Sequence, residues 1–238
     1  MLLDKDIREP LFDYLDETFG KVRTWEEKNI GISRADIVMV TESGICGIEI
    51  KSDADSYSRL PRQIVDYDKY YDQNIIVVGT SHANQVDKHI PDYWGIITVE
   101  EVDGKADFYM LRAPKDNPHM VWERKMEILW KSELAMILEK FDFPKYKEKS
   151  KTFIVKKILA GIPQKLTEGE LRKEMSDILF ERDYTKFDNF NNESALVSTP
   201  KPKKIAQNSL DIFDIFMQKT SSKRILRKGR AQIIRKRK

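Results

Sequence analysis

Apolar side chains recur at helical spacing from the start of the chain. Ile7, Leu11, Tyr14, Leu15 and Thr18 share one face of Asp4–Phe19, acids fill the first turn, and Gly20 follows. This predicts an amphipathic helix over 4–19. The period then changes to two: Val22–Glu27, Arg34–Val40 and Ile45–Lys51 read as sequential antiparallel strands, with Thr41–Gly44 as the turn between the last two. Ser58–Asp72 reverts to helical spacing, with Pro61 in the first turn and Leu60, Ile64, Tyr67 and Tyr71 in one stripe. Asn74–Gly79 and Trp94–Val99 are short and almost wholly apolar, as expected of strands covered on both faces. Ser81 is positioned to cap a short helix reaching His89, and Gly104 turns the chain into a strand over Ala106–Arg112. The pattern predicts an α/β fold with a mixed β-sheet flanked by helices.

Beyond Pro118 the pattern is helical: one helix over Val121–Phe141, a second over Phe153–Ala160 and a third over Leu171–Glu181. Thr167 and Glu170 form a capping box for the third. Pro144 and a lysine-rich stretch interrupt the apolar spacing between Phe141 and Thr152. The expected organisation is an α/β unit over 1–120, a helical region over 121–184, a polar linker over 185–208, and an apolar island followed by a basic tail over 209–238.

Composition sharpens this picture in three places. With 40% hydrophobic and 34% charged residues, the 238-residue chain is neither a membrane protein nor wholly disordered. No apolar run of membrane-spanning length occurs, and acids occupy Met1–Pro10 where a signal peptide would be apolar, so the expectation is a cytoplasmic protein. The single cysteine, Cys46, lies in an apolar run and reads as core filling. The charge is unevenly placed. Lys219–Lys238 carries +10 with no acid, leaving −7 on residues 1–218 out of a total of +3. An acidic body with a cationic end points to a polyanionic partner, nucleic acid, with Lys223, Arg224, Arg227, Lys228, Arg230, Arg235, Lys236 and Arg237 as phosphate contacts. Leu210, Ile212, Phe213, Ile215 and Phe216 form the island, a candidate surface for a protein partner.

Strand parity supplies the candidate chemistry. In Ile48-Glu49-Ile50-Lys51 the isoleucines take one face, so Glu49 and Lys51 share the other. Asp36 begins the neighbouring strand, across a hairpin from Glu49, and the two carboxylates can converge. Charges on buried strands need pairing or a metal to offset desolvation, and acidic oxygens with a strand carbonyl suit Mg2+ or Mn2+.

Arg34-Ala-Asp36 followed by Glu49-Ile-Lys51, on a helix–meander–helix–strand order over 4–80, resembles the PD-(D/E)xK nuclease superfamily with its restriction-endonuclease-like fold. Gln63-Ile-Val-Asp-Tyr67 is similar to the QxxxY motif of RecB-type members, and the longer string through Arg59-Leu-Pro-Arg-Gln63 looks like a group of uncharacterised bacterial and phage nuclease-like proteins. The resemblance spans about residues 4–140. It implies a metal-dependent phosphodiesterase acting on nucleic acid, with DNA favoured, in repair, recombination or defence against foreign DNA. Asp36, Glu49 and the carbonyl of Ile50 would hold the metal, with either Glu9 or Glu27 joining them. Lys51 would serve the attacking water, and Gln63 and Tyr67 would position substrate. Arg34, Arg59 and Arg62 would hold flanking phosphates or pair with Asp53, Asp55 or Asp66. Many nucleases of this class cut two strands as dimers, so a homodimer is a further implication.

Two rivals accompany this reading: a catalytically silent nuclease-fold protein that binds nucleic acid, and an interaction protein docking through the island. His82, His89 and His119 lack metal-ligand spacing, and Gly79-Thr-Ser lacks the lysine of a phosphate-binding loop. The segment 150–182 could equally be a small DNA-reading module or a packing cap.

Overall fold

In a computed structural model, which describes residues 2–182, the first helix forms over Asp4–Phe19 (α1) and buries Ile7, Leu11 and Leu15 completely. Each of these side chains contributes about 2 kcal/mol by leaving water. The strands follow as β1 (Arg23–Ile30), β2 (Ser33–Thr41), β3 (Gly44–Lys51), β4 (Gln73–Gly79), β5 (Gly95–Val102) and β6 (Lys105–Arg112). They form one six-stranded sheet in chain order. β1, β2 and β3 are antiparallel neighbours, β3–β4 and β4–β5 are parallel, and β6 returns antiparallel to β5. The parallel steps need crossovers, which α2 (Leu60–Tyr70) supplies between β3 and β4, and α3 (Thr80–Ala83) with the turns after it between β4 and β5.

Alternation sorts the core into two layers. Ile37, Met39, Ile48, Ile50, Ile75, Val77, Ile97 and Val99 face α1. Val38, Val40, Ile45, Ile76, Val78 and Ile96 face the opposite way, onto α2 and the C-terminal helices. Those helices are α4 (Trp122–Lys125), α5 (Lys131–Lys140), α6 (Lys151–Leu159) and α7 (Glu168–Glu181). Leu134, Ile137, Ile154, Ile158, Leu171 and Leu179 complete this second core, so the helical region shares the sheet's interior. The mixed α/β sheet flanked by helices is therefore present, and the compact unit that contains it runs to Arg182. The linker, the apolar island and the basic tail lie outside the described residues.

Two elements differ from expectation. Val121–Phe141 is not one helix: α4 passes into a 3-10 turn over Met126–Ile128, Leu129 and Trp130 turn extended, and α5 begins at Lys131. Glu133 sets the break by accepting from the Trp130 amide at 2.7 Å while both its oxygens take the Arg182 guanidinium. Nor does a helix run from Ser81 to His89. The chain makes α3 and a 3-10 turn over Val86–Lys88, and the Ser81 hydroxyl donates to Asp53 at 2.7 Å instead of capping. β1 also runs beyond Glu27, which takes φ 56° and, opposite Asp36, drops out of the ladder before pairing resumes in the same register at Lys28.

Candidate functional site

The β2–β3 ladder stops at Ile37 opposite Ile48. One step further, Asp36 would oppose Glu49, but there its own side chain takes over: Oδ2 accepts from the Ile50 amide at 2.9 Å. The strands part at this point, and a polar cleft of about 380 Å³ opens among Asp36, Glu49, Lys51, Gln63, Arg59 and Arg62. Glu49 and Lys51 share the α2 face of β3 as their parity requires, and the Lys51 ammonium contacts Glu49 Oε1 directly. Both side chains are almost fully buried. From α2, Gln63 Nε2 donates to Glu49 Oε1 at 2.5 Å, and one turn later the Tyr67 hydroxyl donates to Oε2 at 2.7 Å. Tyr67 also accepts from the Asp36 amide at 3.2 Å, so one phenol joins both strands of the site.

This approach of helix to sheet depends on Gly47. A Cβ there would stand 2.2 Å from Tyr71 and 2.7 Å from Tyr67, closer than any packing permits. Burial and the charges of Glu49 and Asp36 hold the Tyr67 phenol protonated, which keeps it a donor. The Asp36 carboxyl is pushed up to about 7, first by burial and then by Glu49's negative charge. The Ile50 amide, Arg8 and Lys51 pull in the other direction. Two carboxylates in one desolvated cleft thus repel each other, an environment suited to a positive ligand.

The structure brings Asp36, Glu49, Ile50, Lys51, Gln63, Arg34, Arg59 and Arg62 to one cleft. Arg34 pairs with Glu27 at 3.0 Å rather than with Asp53, Asp55 or Asp66. Arg59 and Arg62 are exposed and have no ion-pair partner among the described residues. Neither Glu9 nor Glu27 lines the cleft: Glu9 is exposed on α1, and Glu27 is exposed on the edge strand β1. The acid that α1 does present is Asp4, through Arg8, whose Nε donates to Asp4 at 2.6 Å while its other nitrogens reach the Asp36 carbonyl (3.2 Å) and Oδ1 (3.3 Å). The sequence pattern marks Arg8 only as polar and four residues after Asp4, so its link to β2 had no local signal. Asp55 is a second addition, turned onto the Ser52 amide and hydroxyl at 2.9 and 2.7 Å. The histidines do not line the cleft, although a ring nitrogen of His82 lies 3.1 Å from the Asp55 carbonyl oxygen. His82 and His89 flank the Tyr57 ring at 4.7 and 4.4 Å, and His119 lies beside Tyr93. Cys46 is buried, and burial pushes its thiol up, so it fills core as expected.

As a donor set for a divalent cation, the cleft offers only oxygen: the carboxylates of Asp36 and Glu49 and the Ile50 carbonyl. Hard ions of the Mg2+ type prefer this chemistry. The mutual repulsion of the two acids fits such an ion. Arg8 and Lys51 now hold the positions that it would compete for. No group of three or more His, Cys, Asp or Glu side chains able to hold a metal forms among the described residues. No helix among them is long and apolar enough to cross a membrane.

A family model described as Bacteriophage P4 protein cII matches residues 26–214, a span that includes the sheet from the middle of β1 onward and the cleft residues other than Asp4 and Arg8 of α1. No curated protein matches the chain.

Proposed function

The chain belongs to the bacteriophage P4 protein cII family; from the geometry of the cleft we propose that it is a metal-dependent nuclease of restriction-endonuclease-like fold, hydrolysing phosphodiester bonds of DNA in repair, recombination or defence against foreign DNA. The observation that carries this reading is the convergence of Asp36, Glu49 and Lys51, with Glu49 braced by Gln63 and Tyr67 from the next helix.

Asp36, Glu49 and the Ile50 carbonyl would hold Mg2+ or Mn2+. When bound, the ion supplies Lewis-acid polarisation of the scissile phosphate. Gln63 and Tyr67 keep the Glu49 carboxylate in one orientation, so it need not reorganise during reaction. Lys51, whose ammonium lies beside Glu49, would orient the attacking water, which passes its proton to solvent as the new P–O bond forms and the opposite P–O bond breaks. The departing oxygen takes a proton from solvent. Arg59 and Arg62 grip neighbouring phosphates with planar forks. The basic tail adds non-specific attraction to the DNA backbone.

A second reading, the catalytically silent nucleic-acid-binding protein, is favoured by one feature. The oxygens of both acids are already taken by Arg8, the Ile50 amide, Lys51, Gln63 and Tyr67. Cleavage of single-stranded, duplex and branched DNA with Mg2+ or Mn2+ separates the two, with Glu49→Ala, Lys51→Ala and EDTA as controls. The nuclease reading expects cleavage that EDTA abolishes and that Lys51→Ala lowers by about 100-fold or more while the protein remains folded. Unchanged turnover in Lys51→Ala would remove that residue from the mechanism. Binding by wild type without any cleavage would establish the silent protein.

A further inference from the structure

The cleft is lined by polar and charged groups with two exceptions, Ile50, which is buried, and Ile32, which is 75% exposed. Ile32 is the most exposed large apolar side chain of the described residues. With Gly31 it forms the two-residue turn between Ile30 and Ser33, at the tip of the β1–β2 hairpin. Residues 33–35 of β2 pair with β1 alone, because the ladder to β3 begins only at Ile37, so this tip extends past the sheet at the mouth of the cleft.

The tip is also held firmly. Gly31 takes φ 56° and packs so closely on α2 that a Cβ there would lie 2.8 Å from Asp66. Its amide donates to the Tyr70 hydroxyl at 3.2 Å, and Tyr70 in turn donates to Glu127 at 2.9 Å. The Arg34–Glu27 pair ties the two strands below. A braced turn that keeps an isoleucine out of the core has no packing reason for its choice of side chain. Asn29 and Arg34 flank it on the hairpin, and Arg59 and Arg62 stand across the cleft. This one exposed apolar side chain thus shares its cleft with arginines able to contact phosphates, alongside the acids Asp4, Asp36, Glu49 and Asp55.

We propose that Ile32 is a wedge that enters the base stack beside the phosphodiester to be cut, and that the substrate is duplex DNA whose stacking is already weakened there, at a mismatch, nick or branch. This assignment rests on the nuclease reading for the position of the cleaved bond. Apolar side chains inserted between base steps unstack them at a cost that the added backbone contacts offset. That cost is smallest where bases are mispaired or flexibly stacked. Arginine contacts to phosphates on either side fix the duplex in place and leave the isoleucine facing base edges rather than water.

The test uses the full chain in EDTA with oligonucleotide duplexes that carry 2-aminopurine next to a mismatch or nick, or in fully paired sequence, with binding followed by anisotropy. Wild type should raise 2-aminopurine fluorescence severalfold, at lower protein concentration on the interrupted duplexes than on the paired one. Ile32→Ser should bind with similar affinity and leave the fluorescence at its free-DNA level, while Ile32→Leu should restore the rise. A full rise with Ile32→Ser, binding by wild type without a rise, or no binding at all would overturn the wedge. Cleavage in Mg2+ is scored separately. A rise without cleavage would sink the nuclease reading and keep the wedge, and cleavage without a rise would do the reverse.

Discussion

Asp36 ends the β2–β3 ladder with its own carboxylate, so the group that satisfies the Ile50 amide is also the one that faces Glu49. Its proton affinity gives a stability prediction whose sign can be worked out. An acid whose carboxyl is pushed up to about 7 in the fold, from about 4 in the unfolded chain, binds its proton more tightly when folded. The fold then loses stability as pH rises from about 4 to about 7. Asp36→Asn keeps an acceptor for the Ile50 amide and never ionises. In metal-free buffer it should therefore stabilise the fold at pH 8 by on the order of 1 kcal/mol, read as a higher melting temperature, and the gain should vanish at pH 4. Thermal melts across that range check it; an equal gain at both pH values would refute the charge argument. At this scale the sequence was informative where chemistry and strand parity coincide, as in Asp36, Glu49 and Lys51, while Gln63 and Tyr67 were marked only by their resemblance to the QxxxY motif. It was silent on Arg8, because a contact across 28 residues leaves no periodic trace. It also pointed to Glu9 and Glu27, because an acid's presence on an element does not tell which side of that element meets the cleft.

Between elements, the strongest joint lies at the other end of the sheet. Asp72, where α2 gives way to β4, accepts from the Ile45 amide at 2.8 Å through its side chain, and its own amide donates to the Ile45 carbonyl at 2.9 Å. Its carboxylate receives Lys125 of α4 at 2.6 Å and Arg172 of α7 at 3.3 Å. Lys125 has no exposed surface, and burial pulls its ammonium down while Asp72 holds it up. Asp72→Ala would leave a buried cation and a strand amide without partners, at a cost of about 3–5 kcal/mol. Chemical denaturation should show that loss. A change below about 1 kcal/mol would mean that Arg172 and Lys125 find other acceptors. Strand alternation in the antiparallel strands and short, almost wholly apolar runs in the two central parallel ones made the sheet legible from the sequence. The break before α5 was not, because Ile128, Leu129 and Trp130 continue the apolar spacing across it, and the groups that impose it are Glu133 and the distant Arg182.

Taken whole, the molecule has its acids and bases segregated along the chain, −7 over 1–218 and +10 over 219–238. If about eight tail charges meet phosphates, log affinity for duplex DNA should fall against log salt with a slope near −7. Truncation after Gln218, removing 219–238, should flatten that slope and leave any metal-dependent cleavage chemistry in place. A truncated protein with the full slope would shift the electrostatic contact to Arg34, Arg59 and Arg62. The depth of the two layers has a consequence of its own. Gly47 lets α2 lie against the sheet closely enough for Tyr67 to touch both strands of the cleft. The aperture of the site is thus gauged by a methyl group that is missing from the middle of β3. Relatives that carry a larger residue there could keep every acid and still present a wider, differently selective mouth.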